Sequence, residues 1–216
     1  MDGTEDADRD DGGVFTPAWG RRSQPGRIVT LGHYYPHGGV GGARTLLREA
    51  RAGYRTEADP QAVARNMGWT RLINALNAGR RWPLDRLFEM LDPVLRPGIA
   101  LAAVPPHRAY QAFWPVRELA GRLAAERGRV DATGCLVRVA TIRRIVFGGP
   151  STRALHRDTI RAEGAERVRG RRVLLLDDIA KSGASLVACR ELLREAGAEA
   201  VQALALGRVI VGREED

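Results

Sequence analysis

Residues 172–185 read RVLLLDDIAKSGAS and combine two adjacent carboxylates with a group of small residues. The carboxylates of Asp177 and Asp178 can accept hydrogen bonds from neighbouring hydroxyl groups of a sugar. The small residues at 182–185 can bind an anion, because serine hydroxyls and amides at a helix start donate hydrogen bonds and glycine lets a phosphate approach the main chain. Since carboxylates repel phosphate, the two halves together predict a ligand with both a diol and a phosphoryl group, such as a ribose 5-phosphate.

The elements on either side of the two acids predict where they lie. Residues 173–176 are four consecutive apolar residues, which fits a parallel strand covered on both faces or a buried helix segment, and their length and flanks favour the strand. From Ser185 apolar residues recur at helical spacing until Gly197, which predicts a helix ending there. The acids are therefore expected at the carboxyl end of a strand, the edge where open α/β sheets bind ligands.

The second half of the chain alternates strand and helix patterns, which predicts a βαβ series. Besides the strand before the acids, we expect strands at 99–104, 134–140 and 200–210, a turn at 105–110 and a helix at 113–127. Residues 27–35 predict an edge strand, and helical patterns follow at 43–52, 60–78 and 83–91. The predicted fold class is α/β, with an open, mostly parallel sheet of about four or five strands and a helical hood segment over its ligand edge.

These patterns divide the chain into three parts. Residues 1–26 combine acids, glycine and proline without periodicity, which predicts a disordered acidic tail. Residues 27–97 are the mostly helical hood segment, and residues 98–216 are the core. The glycine-rich residues 37–42 form either an anion loop or a hinge. Three tryptophans are expected to pack in the core or hood rather than to stack on bases: Trp69, Trp82 and Trp114.

Charge and composition limit the classes of function. The net charge is +8 although six of the first twelve residues are acidic, so the rest of the chain is basic enough to attract nucleic acid or a polyphosphorylated metabolite. However, Lys181 is the only lysine, and this excess of arginine also fits a coding bias. No apolar run suits a membrane span or a signal peptide, which predicts a cytoplasmic protein. Cys135 and Cys189 lack the spacing of a disulfide or zinc framework, so we expect buried thiols.

Residues 173–185 resemble the signature of the type I phosphoribosyltransferases: four apolar residues, two acids and a small-residue phosphate loop. The resemblance implies the fold of that family, with Asp177 and Asp178 holding the ribose 2- and 3-hydroxyls of phosphoribosyl pyrophosphate. It also implies a phosphate loop around the 5-phosphate. Lys181 stands where family members vary, and threonine is more usual at two of the serine positions. The expected loop residues are Ile179, Ala180, Lys181, Ser182, Gly183, Ala184 and Ser185.

A narrower resemblance covers residues 99–210, which are similar to the ComF-type, amidophosphoribosyltransferase-like proteins. The arginine and threonine pattern of that group is only echoed here, at Arg138, Thr141, Arg153 and Arg157. The zinc ribbon typical of the group's amino terminus is missing from the sequence. The acceptor chemistry therefore stays open.

The turn after the first core strand, residues 104–108, is expected at the same sheet edge. The family resemblance implies that this turn donates main-chain groups to pyrophosphate and often contains a non-proline cis peptide. An ordinary proline turn is the alternative. The arginines that follow are candidate pyrophosphate clamps, with a solvated charged face as the alternative for each. The candidate residues are Pro106, His107 and Arg108 in the turn, and Arg143, Arg144 and Arg153 beyond it.

The resemblance implies a phosphoribosyltransferase of nucleotide metabolism that uses phosphoribosyl pyrophosphate and releases pyrophosphate. Mg²⁺ is the expected cofactor and is held mainly by the substrate, with Asp177 and Asp178 as the candidate protein ligands. The hood segment is expected to bind a small-molecule acceptor, which the sequence does not identify. A homodimer is compatible with these features, and nucleic acid is a less favoured partner. The alternative function is a non-catalytic regulator that binds phosphoribosyl pyrophosphate or a nucleotide, or a competence-related, nucleic-acid-associated protein.

Overall fold

The computed structural model describes residues 13–20, 27–35, 60–143 and 152–209. The helices in these residues are α1 Pro17–Gly20, α2 Pro60–Asn77, α3 Trp82–Leu91, α4 Pro115–Ala124, α5 Arg153–Thr159 and α6 Ala184–Glu195, with 3₁₀ turns at Asp92–Val94 and Ala165–Arg167. The strands are β1 Ile28–Tyr34, β2 Ala100–Ala103, β3 Val130–Asp131, β4 Leu136–Arg138, β5 Ile160–Ala162, β6 Arg172–Ala180 and β7 Ala200–Val209.

The centre of the fold is a five-stranded sheet in the order β1-β7-β6-β2-β3, in which every neighbouring pair is parallel. Leu176 of β6 pairs with Ala103 of β2 on one side and with Leu204 of β7 on the other. Apolar runs in the central strands suit this position, because helices cover both faces of a parallel sheet. The predicted α/β class with an open parallel sheet is confirmed.

Each face of the sheet packs against different helices. Leu174 and Leu176 join a cluster with residues of α2, α3 and α4, whereas Val173 and Leu175 join a second cluster with Leu186 and other residues of α6. This division follows from the geometry of a strand, in which successive side chains point to opposite faces. The consequence is a three-layer arrangement with α2 and α6 on opposite sides of β6.

The expectation that residues 134–140 supply the next strand of the main sheet is wrong. The two-residue strand β3 takes that place beside β2, while β4 pairs antiparallel with β5 in a separate ribbon. Immediately after β3, the amide of Thr133 donates to the Asp131 carboxylate at 2.9 Å, and this aspartate turn directs the chain away from the sheet. A strand of two residues is too short to leave a periodic pattern in the sequence.

The amino-terminal part of the chain contributes more to the core than predicted. Phe15 is completely buried and forms a bridge with Leu95, so the expectation of a disordered tail does not hold for residues 13–20. The rest of that predicted tail, and residues 37–59, lie outside the described residues. The predicted edge strand is confirmed as β1, which pairs with β7 and makes the hood segment part of the sheet.

The remaining expectations can be compared directly with the structure. Cys135 and Cys189 are buried free thiols, as predicted. Trp69 packs against the core, whereas Trp82 is 54% exposed, so the expectation that Trp82 packs inside is wrong. The helices predicted at 60–78 and 83–91 are present as α2 and α3. None of the described helices is long and apolar enough to cross a membrane.

Candidate active site

The two acids lie at the carboxyl edge of the sheet but face opposite sides of it. The Ser185 hydroxyl of α6 donates to Asp177 Oδ2 at 3.1 Å. The Asn77 amide, at the end of α2, donates to Asp178 Oδ2 at 2.8 Å. Since α2 and α6 cover opposite faces, the two carboxylates do not jointly face one diol in this arrangement.

This geometry corrects the predicted extent of the strand. We expected the two acids at the carboxyl end of the strand and the loop to begin at Ile179, but β6 continues to Ala180. Adjacent residues of an extended strand point to opposite faces, which is why the two side chains diverge. The expected loop residue Ile179 is likewise part of β6 and packs against the hydrophobic core.

The electrostatics of the two carboxyl groups differ. Burial raises the pKa of the Asp177 carboxyl well above its ordinary value of 3.8, the neighbouring Asp178 carboxylate raises this pKa further, and the Ser185 hydrogen bond opposes both effects. The main chain also bonds locally to each acid, because Asp178 N donates to Asp177 Oδ1 and Ile179 N donates to Asp178 Oδ1. Asp177 is therefore the acid of the pair that is more readily protonated in this structure.

The face of α2 that meets Asp178 contributes residues that the sequence analysis missed. Asn74 and Asn77 are three residues apart and so lie on the same helix face. Asn74 accepts a hydrogen bond from the Tyr34 hydroxyl at 2.9 Å, and Asn77 binds Asp178. Burial, and secondarily the Asp178 charge, raise the pKa of Tyr34. The two asparagines at this spacing near a helix end were the available sequence signal.

The small-residue turn between β6 and α6 has the features of an anion loop. Gly183 precedes α6 with φ +77°, a conformation that favours glycine, and a Cβ at this position would overlap the Ile28 side chain. The Ser182 hydroxyl accepts from Ala184 N at 3.3 Å, and Lys181 and Ser182 are exposed. The turn is thus shorter than predicted, because only 181–183 lie between strand and helix, and the expected loop residues Ala180, Ala184 and Ser185 belong to β6 and α6.

The second predicted loop follows β2 at the same edge. Val104 N donates to Leu176 O at 2.8 Å, which places this loop beside the strand that carries the two acids. Pro106 and His107 are partly exposed, and Arg108 is exposed. Every described peptide bond is trans, so the expected cis peptide is not found. The prediction that these three residues share an edge with the acids therefore agrees with the topology, whereas their contact with pyrophosphate stays a prediction.

The candidate arginine clamps have different environments. Arg153 pairs with Glu191 of α6 at 2.8 Å on the surface, Arg143 is exposed, and Arg144 lies outside the described residues. Arg138 was not among the predicted site residues, but it is only 3% exposed and lies directly behind the β2 loop. Its place in an R-x-x-T pattern was the signal that could have singled it out.

A cavity of about 220 Å³ lies beside the β2 loop. Its lining includes Arg108, Tyr110, Trp114, Arg117 and Arg138. The Arg117 guanidinium lies 5.4 Å from the centre of the Trp114 ring, a cation–π contact. Trp114 Nε1 is buried and has no hydrogen-bond partner among the described residues. The cavity therefore combines aromatic surface with positive charge next to the candidate pyrophosphate loop.

The two acids are the groups of this site that could bind a magnesium ion. Mg²⁺ is usually bound by one or two carboxylates together with substrate phosphates, and Asp177 and Asp178 provide carboxylates at the correct edge. Among the described residues no group of three or more His, Cys, Asp or Glu side chains could hold a metal ion.

Comparison with known proteins supports the resemblance seen in the sequence. Residues 110–216, just under half of the chain, match the family model of the phosphoribosyl transferase domain. The matched segment includes both acids, the anion loop and Arg138. No curated protein matches the chain. The match supports the type I phosphoribosyltransferase family for this segment and does not address the narrower ComF-type resemblance.

Two solved structures are similar at low identity. Phosphoribosylpyrophosphate synthetase from Mycobacterium smegmatis is 20% identical with a TM-score of 0.31, and the alignment covers 64% of this chain and 34% of the synthetase. Purine phosphoribosyltransferase from Pyrococcus horikoshii Ot3 is 16% identical with a TM-score of 0.30, covering 68% of this chain and 90% of that one.

Proposed function

We propose that this chain is a cytoplasmic phosphoribosyltransferase that takes phosphoribosyl pyrophosphate as donor and releases pyrophosphate. The observation that carries the proposal is the acidic pair followed by the Gly183 turn, at the carboxyl edge of a parallel sheet and inside the family match. In this proposal the turn at 181–183 and the first amides of α6 bind the 5-phosphate. The β2 loop receives the pyrophosphate.

The carboxylates act on the ribose. Asp178 is the acid that this structure leaves more open, because its partner Asn77 is an exposed amide. Asp177 faces α6 in this structure, so it reaches a ribose bound at Asp178 only after its side chain leaves Ser185 and turns towards the sheet edge. As the bond between the anomeric carbon and the pyrophosphate oxygen breaks, positive charge develops on the ring, and the two carboxylates stabilise that charge. Mg²⁺, when bound with the donor, supplies neutralisation of the charge on pyrophosphate.

The hood segment supplies the side of the site opposite α6. Asn77 joins this segment to Asp178, so α2 is positioned to close against a ribose bound at that acid. The acceptor is a small-molecule nucleophile that enters from this side. This role and the division into hood and core belong to the proposal.

The test is pyrophosphate release with Mg²⁺ and a panel of bases, amines and ammonia. Asp178→Asn is expected to lower turnover about 100-fold or more, the scale seen when one group that stabilises transition-state charge is removed. Asp85→Asn is the matched control, because that carboxylate pairs with Arg122 on the surface of α3. Equal turnover of Asp178→Asn and the wild-type protein would contradict the proposed role of the acid.

One observation favours a second candidate, a regulator that binds phosphoribosyl pyrophosphate without turning it over. The Asp177 carboxyl is engaged by Ser185, and burial favours its protonated form. A carboxyl held in this way binds poorly to a developing positive charge. Calorimetric binding of the donor without pyrophosphate release for any acceptor would support the regulator over the enzyme.

A further inference from the structure

The loop after β2 is tied to the chain segment that follows β4. Three main-chain amides make the connection: Ala109 N donates to Thr141 Oγ1 at 3.0 Å, Tyr110 N to Arg138 O at 2.9 Å, and Ile142 N to His107 O at 2.9 Å. Tyr110 has φ +52°, a left-handed conformation that non-glycine residues adopt at a cost of about 1–3 kcal/mol. The surrounding bonds therefore impose a defined shape on this loop.

The Arg138 side chain adds a second connection from inside. Its Nε donates to the Pro106 carbonyl at 2.5 Å, and one terminal nitrogen makes a long contact of 3.5 Å with the Pro105 carbonyl. The carbonyl of Pro106 and the amide of His107 belong to one planar trans peptide group, in which C=O and N–H point in opposite directions. Arg138 thus also fixes the direction of the His107 N–H.

On its other side Arg138 reaches the helix α5, which follows in the chain. It donates to Thr159 Oγ1 at 2.7 Å and lies 3.3 Å from His156 Nδ1, both on α5. Burial, and secondarily the Arg138 charge, lower the pKa of His156 to about 4. A neutral imidazole can accept from the guanidinium, so the buried contact is favourable at neutral pH.

Among the described residues no carboxylate is hydrogen-bonded to Arg138 or forms an ion pair with it, although the charge of Asp177 acts on its guanidinium. Its hydrogen-bond partners are carbonyls, a hydroxyl and an imidazole. A buried charge is costly unless an opposite charge accompanies it. An anion bound in front of the β2 loop would lie close to this guanidinium and would be attracted by it through the loop.

We propose that Arg138, with Thr141, is a positioning residue that holds the 105–110 loop in the shape that receives pyrophosphate, acting through the main chain and without touching the ligand. The inference rests on the proposed function, because it takes pyrophosphate as the loop's ligand. It gives the R-x-x-T pattern of residues 138–141 a role, which is to hold this loop. We call these contacts of Arg138 and Thr141 the tether.

The experiment measures two ligands by calorimetry in the presence of Mg²⁺: pyrophosphate, which is expected at the β2 loop, and ribose 5-phosphate, which is expected at the 181–185 turn. Arg138→Met should weaken pyrophosphate binding about 10- to 100-fold, the range expected for lost hydrogen bonds of a charged group. Binding of ribose 5-phosphate should stay within about twofold of the wild-type protein. Arg138→Lys should behave like Arg138→Met, because lysine keeps the charge but lacks the planar fork.

Thr141→Val is the milder variant and tests the tether even if Arg138→Met does not fold. It removes one acceptor at an exposed position and should weaken pyrophosphate binding about 2- to 10-fold. Hydrogen exchange at Ala109 and Tyr110 should become faster in both variants. Arg122→Met, which removes a surface ion pair with Asp85 and does not touch the loop, should change neither the exchange of these two amides nor pyrophosphate binding.

The outcomes separate the inference from the proposed function. Unchanged pyrophosphate binding and unchanged exchange in the Arg138 and Thr141 variants overturn the inference alone, as does full recovery by Arg138→Lys. Equal weakening of both ligands also overturns it, since that result indicates general damage to the fold. If the wild-type protein binds neither ligand, the proposed function falls and the inference falls with it.

Discussion

Two buried arginines lie at opposite ends of the parallel sheet and have different surroundings. Arg129, 6% exposed, precedes β3 at the amino end, and Arg138, 3% exposed, ends β4 near the carboxyl edge. Arg129 donates to the Asp92 carboxylate at 2.6 Å and to four main-chain carbonyls. Arg138 makes no direct bond to a carboxylate among the residues that the structure describes, and only the more distant Asp177 charge acts on it.

The difference shows how one residue type serves stability at one end and ligand binding at the other. At the amino end the Asp92 carboxylate neutralises the charge of Arg129 within the protein. Arg129 therefore joins segments of the chain and is not available to attract a charged ligand. At the carboxyl edge the positive charge is retained next to a loop expected to meet an anion. Open α/β sheets bind ligands at that edge, which fits this division.

Arg129→Met is expected to have the largest effect on stability and tests the structural half of the comparison. Removing one partner of a buried ion pair typically costs about 3–5 kcal/mol, because the other charge and the carbonyls are left unsatisfied. Urea denaturation measures the change. Arg122→Met is the control and should cost under about 1 kcal/mol, since its pair with Asp85 is exposed to solvent. A loss in Arg129→Met no greater than in Arg138→Met would remove the distinction between the two arginines.

The next effect is a pH dependence at the Arg138 end. The pKa of His156 is lowered to about 4 in the folded protein, against 6.5 ordinarily. Between these two values the unfolded chain binds a proton that the folded protein does not, so stability falls as pH falls from about 6.5 to 4, by up to ~3 kcal/mol. His156→Gln should flatten this part of the curve of melting temperature against pH.

His33→Gln is the matched control, at an exposed position of β1. It should keep the wild-type slope. A wild-type slope in His156→Gln would mean that the imidazole beside Arg138 does not titrate in this way, and would weaken the account of the buried cation.

Gly183→Ala tests the anion turn at the same edge. The left-handed φ costs about 1–3 kcal/mol for a residue with a Cβ, and here the Cβ also overlaps Ile28. Gly170→Ala is the control, because Gly170 has φ +65° and open space around its Cβ position. Each variant is compared with the wild-type protein by its loss in free energy of unfolding. The difference between the two losses gives the contribution of the overlap with Ile28. Equal losses would contradict the close approach to Ile28.

The smallest expected effect has the opposite sign. Because the pKa of Asp177 is raised above 3.8 in the folded protein, the folded state holds a proton that the unfolded chain releases, and stability falls as pH rises above that value. Asp177→Asn removes this decline and should raise the melting temperature by a few degrees near pH 7, while lowering donor turnover. Melting curves from pH 4 to 8 measure the effect, and a decline parallel to that of the wild-type protein contradicts it.

Much of the fold followed from local patterns. The apolar run at 173–176 and the helical stripe after Ser185 predicted β6 and α6, since both patterns are strong and uninterrupted. The strand order, β3 and the separate β4–β5 ribbon were not predictable, because pairing between distant strands leaves no local pattern and β3 has only two residues.

The candidate site was predictable in its residues and only partly in its geometry. Asp177, Asp178 and Gly183 were identified by type and spacing. The divergence of the two acids depended on where β6 ends, and strand ends are the least reliable part of a sequence prediction. Asn77 and Arg138 were missed as parts of the site, because their contacts join segments far apart in the sequence.

Lys181 gives the turn before α6 a chemical property that no other position of the sequence shares. It is exposed, and it carries the only side-chain primary amine of the chain. An acylating dye should therefore label one side chain, located beside the expected phosphate. Protection of that amine from the dye by a bound ligand gives a direct occupancy signal without any mutation.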